Sequence, residues 1–146
     1  MKRFIVLAVV GVVVILAATS LASGKTATTT FKAALSVGQV VPHPKGTRAG
    51  AAGTFSATLT GTTLKWTLTY SHLTGRAVAA HIHLGARGKN GIALVALCPP
   101  CKSPMSGTAN SVTDDVAALM SQAGAYVNVH TDKNAEGEIR GEITGH

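Results

Sequence analysis

Gly53-Thr54-Phe55-Ser56-Ala57-Thr58-Leu59-Thr60-Gly61-Thr62-Thr63-Leu64-Lys65-Trp66-Thr67-Leu68-Thr69-Tyr70 decides the fold class. Phe55, Ala57 and Leu59 alternate with small polar residues, so they share one side of a strand. Gly61-Thr62 reads as a tight hairpin turn. Beyond it, Leu64, Trp66, Leu68 and Tyr70 line one face, and Lys65, Thr67 and Thr69 line the other. Period-two patterning on both sides of a turn is an antiparallel hairpin with one buried face. Trp66 and Phe55 are expected in the core between sheets.

The same alternation extends outward. Thr29 to Val37 reads as a strand. Val40 to Gly46 contains Pro42 and Pro44, which remove ladder donors, so it is no central strand. Ala77 to Leu84 is a strand, followed by a Gly-rich loop, Gly85 to Gly91. Ile92 to Leu97 and Gly107 to Val112 are further candidates. One segment changes period. Thr113 is an N-cap, Asp114 and Asp115 place negative charge in the first turn, and Val116, Leu119, Met120 and Ala123 recur at helical spacing. Gly124 supplies the stop, for a helix of two to three turns. Ala125 to Thr131 and Glu138 to Thr144 close the chain as strands, joined by the turn formers Asp132 to Gly137. Many short strands and a single short helix predict an all-β fold, an antiparallel β-sandwich or Greek-key barrel.

The chain has 146 residues, enough for one domain. Met1-Lys2-Arg3 is a basic start, Phe4 to Ala18 is apolar, and Ser20-Leu21-Ala22 offers small residues for cleavage. Residues 1–22 are therefore expected to be a secretory signal peptide. The apolar run is shorter than the roughly 20 residues of a spanning helix, but an uncleaved membrane anchor is the alternative. Residues 23–28 are expected as a flexible lead-in, and 29–145 as the domain. The protein is then secreted or extracytoplasmic, and touches a membrane only through its leader. The formal net charge is +7. Its Lys and Arg are scattered and no aromatics interleave with them, which excludes a nucleic-acid partner. The expected partner is a surface or extracellular ligand.

Two strands carry histidines: Ala79-Ala80-His81-Ile82-His83-Leu84 and Tyr126-Val127-Asn128-Val129-His130-Thr131. His81 and His83 share one face, while Ala80, Ile82 and Leu84 take the core face. Tyr126, Asn128 and His130 share a face opposite Val127 and Val129. Histidines at i and i+2 sit about 6.5–7 Å apart at their backbones, so their rings can converge on one ion. If the two strands neighbour each other, His130 brings a third nitrogen. Imidazole suits copper, zinc and nickel, and a three-histidine site with an open position is a zinc arrangement. The alternatives are histidines that pin loops, with Asn128, Thr131 or Glu138 as partners, or an acid–base role.

Phe31-Lys32-Ala33-Ala34-Leu35-Ser36, His81-Ile82-His83-Leu84-Gly85, Asn90-Gly91, Asn128-Val129-His130-Thr131 and Gly137-Glu138-Ile139-Arg140-Gly141-Glu142-Ile143 occur in an order that resembles the CHRD (chordin-type) domain family. The resemblance spans roughly Thr29 to Thr144. It implies an exported or extracellular domain and no particular activity. Cys98 to Pro104 departs from the pattern as an insert.

Other features carry competing readings. Arg140 alternates with Glu138 and Glu142 on one face. It is either a cross-strand ion pair or, with Asn128, a holder of a carboxylate or phosphate beside the histidines. Cys98-Pro99-Pro100-Cys101 has redox spacing without a thioredoxin-like setting. A local disulfide is expected, and thiolate ligation of copper or zinc is the alternative. Gly85 to Gly91 lacks the context of a phosphate-binding loop. No nucleophile motif is present. The sequence therefore reads as an exported binding module without enzymatic activity, with a histidine-lined face. A copper or zinc protein with an outer-face site like that of the superoxide dismutases is the second reading. A structural envelope component is the third.

Overall fold

The Gly53–Tyr70 stretch folds as its alternation requires. In the computed structural model, which describes residues 27–146, strands β2 (Ala52–Thr60) and β3 (Thr63–Ser71) pair antiparallel, with Ala57 opposite Trp66 and Thr60 opposite Thr63. Gly61 turns the chain at φ +57°, a left-handed conformation that glycine adopts without steric cost. The expected signal peptide lies outside the described residues, as do residues 23–26 of the lead-in. Strand β1 (Thr28–Ser36) begins within that lead-in, because Thr28 already pairs with Thr60.

The remaining elements are β4 (Ala77–Leu84), β5 (Ala93–Cys98), β6 (Met105–Ala109), α1 (Asp114–Ser121), β7 (Ala125–Thr131), β8 (Ile139–Glu142) and β9 (Thr144–Gly145). All strand pairs are antiparallel. They follow the order β5-β4-β7-β8-β1-β2-β3-β6, with β9 paired to β1. The end strands β5 and β6 lie against each other. One sheet has curled into a nearly closed barrel, the second of the two expected architectures. Phe31, Phe55, Leu64, Trp66, Leu68, Ile82, Val127, Val129, Ile139 and Ile143 are buried in its core. Each such side chain contributes about 1.5–3 kcal/mol.

Several boundaries differ from the sequence expectation. The Gly107–Val112 candidate is β6, two residues earlier, pairing Gly107 with Trp66 and Leu68 with Met105. Glycine is needed there: a Cβ on Gly107 would overlap the Trp66 ring. Val112 is buried outside any strand and donates its N–H to Thr62 O at 2.9 Å. Thr113 caps α1 as expected, its hydroxyl accepting from Val116 N. The left-handed stop is Ala123 (φ +54°), not Gly124. Gly124 stands one place later and donates to Leu119 O at 2.8 Å, the six-to-one bond of a Schellman end. The final strand is broken at Ile143, whose N–H turns to Ala125 O at 2.9 Å. Leu84, expected on the core face, is 37% exposed because β4 ends there at the rim of the barrel.

Candidate metal centre

Strands β4, β7 and β8 lie side by side. Across β4 and β7, Ala79 faces His130, His81 faces Asn128 and His83 faces Tyr126. Across β7 and β8, Asn128 faces Arg140 and Tyr126 faces Glu142. Ala80, Ile82, Val127, Val129 and Ile139 are fully buried on the barrel side. Period two then sends His81, His83, Tyr126, Asn128, His130, Arg140 and Glu142 to the outer side.

That outer side is not open surface. Tyr126, Asn128 and Arg140 are buried, and the three histidines are half-buried. Two loops fold back over them and are fastened by hydrogen bonds. From the Gly85–Gly91 loop, Gly91 O accepts from His83 Nδ1 at 3.1 Å, Asn90 Oδ1 from Arg140 Nη1 at 3.2 Å, and Ala86 O from Arg140 Nη2 at 3.0 Å. Gly91 N donates to the Tyr126 hydroxyl at 3.3 Å. From the Asp132–Gly137 loop, Ala135 O accepts from His130 Nδ1 at 2.8 Å and Glu136 O from Asn128 Nδ2 at 3.0 Å. Gly137, at φ +124°, packs on the Asn128 amide so closely that a Cβ would overlap it.

A nitrogen bonded to a carbonyl must carry a proton, so the neutral form of each bonded ring is the Nδ1–H tautomer, with its acceptor at Nε2. His83 Nε2, His130 Nε2 and His81 Nδ1 are all buried without a hydrogen-bond partner. One ligand nitrogen from each of the three histidines lies within 4.8 Å of the others. The ring centroids stand 5.5 Å (His81–His83), 5.2 Å (His81–His130) and 5.6 Å (His83–His130) apart. An ion bound at about 2.0–2.1 Å sits about 3.2 Å from each ring centre, and three rings spaced 109–120° around it have centres about 5.2–5.5 Å apart. The ring centres stand close to the separation that one shared ion would set.

The electrostatics suit neutral ligands. Burial lowers the pKa of His81 below the usual imidazole range, and His130 and His83 lower it further. Burial also lowers that of His83. The bond to Gly91 opposes this, and the charges of His130 and Arg140 add to the lowering. Arg140 is held close to a stacked ring pair. Its guanidinium carbon lies 3.4 Å from the Tyr126 ring centre, and Tyr126 lies parallel to His83 with centroids 5.1 Å apart.

A family model described as CHRD domain matches residues 31–143. The chain belongs to the CHRD domain family. No curated protein and no solved structure matches it. The matched span of the CHRD domain contains all three clustered histidines, both loops and Arg140.

Other candidates fall elsewhere. His43, His72 and His146 are outside the cluster; His72 Nδ1 contacts Ser71 Oγ, and His146 Nε2 contacts Thr144 Oγ1. Asn128, Thr131 and Glu138 are not the partners of the histidines: backbone carbonyls bond His83 and His130, and the His81 ring has no partner among the described residues. Arg140 is neither exposed nor in a cross-strand pair. It is fully buried, and its Nη2 contacts Glu142 Oε1 at 3.2 Å, two residues along the same strand. That contact lacks hydrogen-bond geometry, so Glu142 Oε1 counts as unpaired, as do Arg140 Nε and Asn128 Oδ1. Nη1 and Nη2 each give one N–H to the loop, and Nε has no partner among the described residues. Cys98 and Cys101 form the expected local disulfide, buried beside β4, where Cys98 faces Ala80.

One group escaped the sequence reading as a hub. Glu138 is fully buried and has three neutral donors: Thr74 N, Thr131 Oγ1 at 2.7 Å and Asn134 Nδ2 at 3.3 Å. Burial pushes its pKa up, but the bonds from Thr131, Thr74 and Asn134 outweigh this and hold it below the usual glutamate range. Glu138 thereby ties the β3–β4 connection to the loop that anchors His130.

Proposed function

We propose that this CHRD domain is an exported binding module that holds one copper or zinc ion on His81, His83 and His130. The observation that carries the reading is the gathering of three imidazoles, one ligand nitrogen of each within 4.8 Å of the others, each ring with a buried nitrogen that has no partner among the described residues. Histidines kept only to pin the loops would account for the bonds to Gly91 and Ala135. They would leave three buried acceptors unmade, at a cost of about 1–3 kcal/mol each. An ion removes that cost at a single stroke. An all-imidazole donor set without carboxylate or thiolate favours copper or zinc over the harder calcium and magnesium. The carbonyl bonds to His83 and His130 are the outer fastenings that orient ligands and fix their tautomer. Export rests on the basic and apolar leader, and a closed Cys98–Cys101 pair suits an oxidising compartment.

The test is equilibrium dialysis of the purified chain against Cu(II) and against Zn(II). One ion per chain is expected. Alanine at His81, His83 or His130 should weaken binding at least about a hundredfold, as loss of a direct ligand exceeds loss of an outer partner. His72→Ala should change nothing. Equal retention by all four variants, or no binding by the parent chain, refutes the proposal.

A further inference from the structure

The three histidines are not equivalent. His83 and His130 each donate Nδ1–H to a loop carbonyl, one from each covering loop. Both loops are fastened further, through Arg140 and Asn128. These two rings are fixed at Nδ1, and each leaves its Nε2 buried and without a partner among the described residues. His81 has no such tether. Its Nδ1 is the unpartnered atom, and no carbonyl or carboxylate among the described residues bonds its ring. The backbone beneath it is irregular as well. The pairing of β4 with β5 shifts register between Ala80 and His81, and again between Ile82 and His83. Such bulges are frequent beside functional sites, where they re-aim a side chain.

Two rigid ligands and one adaptable ligand match the two coordination preferences of copper. Cu(I) is satisfied by two or three nitrogen donors. Cu(II) seeks a tetragonal set of nitrogen and oxygen donors, so it needs the third ring and a solvent oxygen. Zinc has one oxidation state and one preferred tetrahedral set, and makes no use of the asymmetry. The ligating form of each donor is neutral, and a buried guanidinium lies against the Tyr126 ring that stacks with His83. That positive charge disfavours the more highly charged ion.

We infer that the site holds copper in both oxidation states, with His83 and His130 as permanent ligands and His81 as the ligand that joins for Cu(II). This rests on the metal-site reading above and goes beyond it, because that reading treats the three histidines alike.

The test loads the full chain and its variants separately with Cu(I), under anaerobic competition with bathocuproine disulfonate, and with Cu(II), under competition with glycine. His81→Ala is expected to keep Cu(I) within about threefold of the parent and to lose Cu(II) by about a hundredfold or more. His83→Ala and His130→Ala are expected to lose both. His81→Asn, which keeps a polar side chain, is the second variant should alanine disturb β4. A Cu(I) loss in the His81 variants equal to that in His83→Ala overturns the inference while leaving the three-histidine site standing. A parent chain that binds copper in neither state overturns both.

Discussion

Replacing Glu138 by glutamine removes one charge and almost no volume, so its effect reads the hydrogen bonds alone. Oε1 accepts from Thr74 N, and Oε2 accepts from Thr131 Oγ1 and Asn134 Nδ2. A glutamine has one acceptor oxygen. If that oxygen stays on Thr74 N, its amide can donate to Thr131, but it then opposes the Asn134 amide, donor to donor. At least one hydrogen bond to a charged group is lost, at about 1.5–3 kcal/mol. We expect Glu138→Gln to destabilise the domain by about 2–3 kcal/mol at pH 7. The pH dependence gives an independent check. The folded pKa of Glu138 is lowered, so its stabilisation is fully present above the unfolded value, about 4.3. It declines as pH falls through the folded value. The gap between parent and variant should therefore close on acidification below about pH 4. Urea denaturation of both proteins at pH 7 and at acid pH measures it. A difference under about 0.5 kcal/mol at pH 7, within the range of ordinary surface substitutions, would refute the argument. So would a difference that persists unchanged at acid pH.

Three further predictions follow from the same structure. Trp66→Ala should cost about 3–5 kcal/mol, since the ring is buried and fills the space that Gly107 leaves; a nearly unchanged melting temperature would contradict that packing. Thiol labelling of exported, denatured, unreduced protein should find no free cysteine. The Cys98→Ala/Cys101→Ala variant should still fold with a loss of about 2 kcal/mol, because the loop it opens is very short. N-terminal sequencing of protein from its native host should start near Ser23 or Lys25; full-length chain retained in membranes would contradict cleavage.

Much of the fold was legible because alternation is a direct imprint of a half-buried strand. The β2–β3 hairpin, β4 and β7 stand where their patterns place them. The failures have identifiable causes. β6 is a run of small and polar residues whose position depends on Gly107 accommodating Trp66 from another strand. The helix stop passed to Ala123 because a backbone bond, not residue type, sets the register of a Schellman end. At the site, two histidines at i and i+2 and a third on another strand were readable. The adjacency of β4 and β7 was only a condition. The anchors of His83 and His130 were unreadable, since the carbonyls of Gly91 and Ala135 carry no residue signature. The buried states of Arg140 and Glu138 were equally hidden. Charged residues in a strand pattern ordinarily mark solvent, and only the folded loops reveal otherwise.

The central claim is that three imidazoles share one ion. Pulsed electron paramagnetic resonance on the Cu(II)-loaded full chain counts the imidazoles coupled to the copper. Parallel spectra of His81→Ala, His83→Ala and His130→Ala assign each one. The account predicts three coupled imidazoles in the parent and two or fewer in every variant. A parent spectrum with fewer than three coupled imidazoles, or a spectrum that the three substitutions leave unchanged, would contradict it.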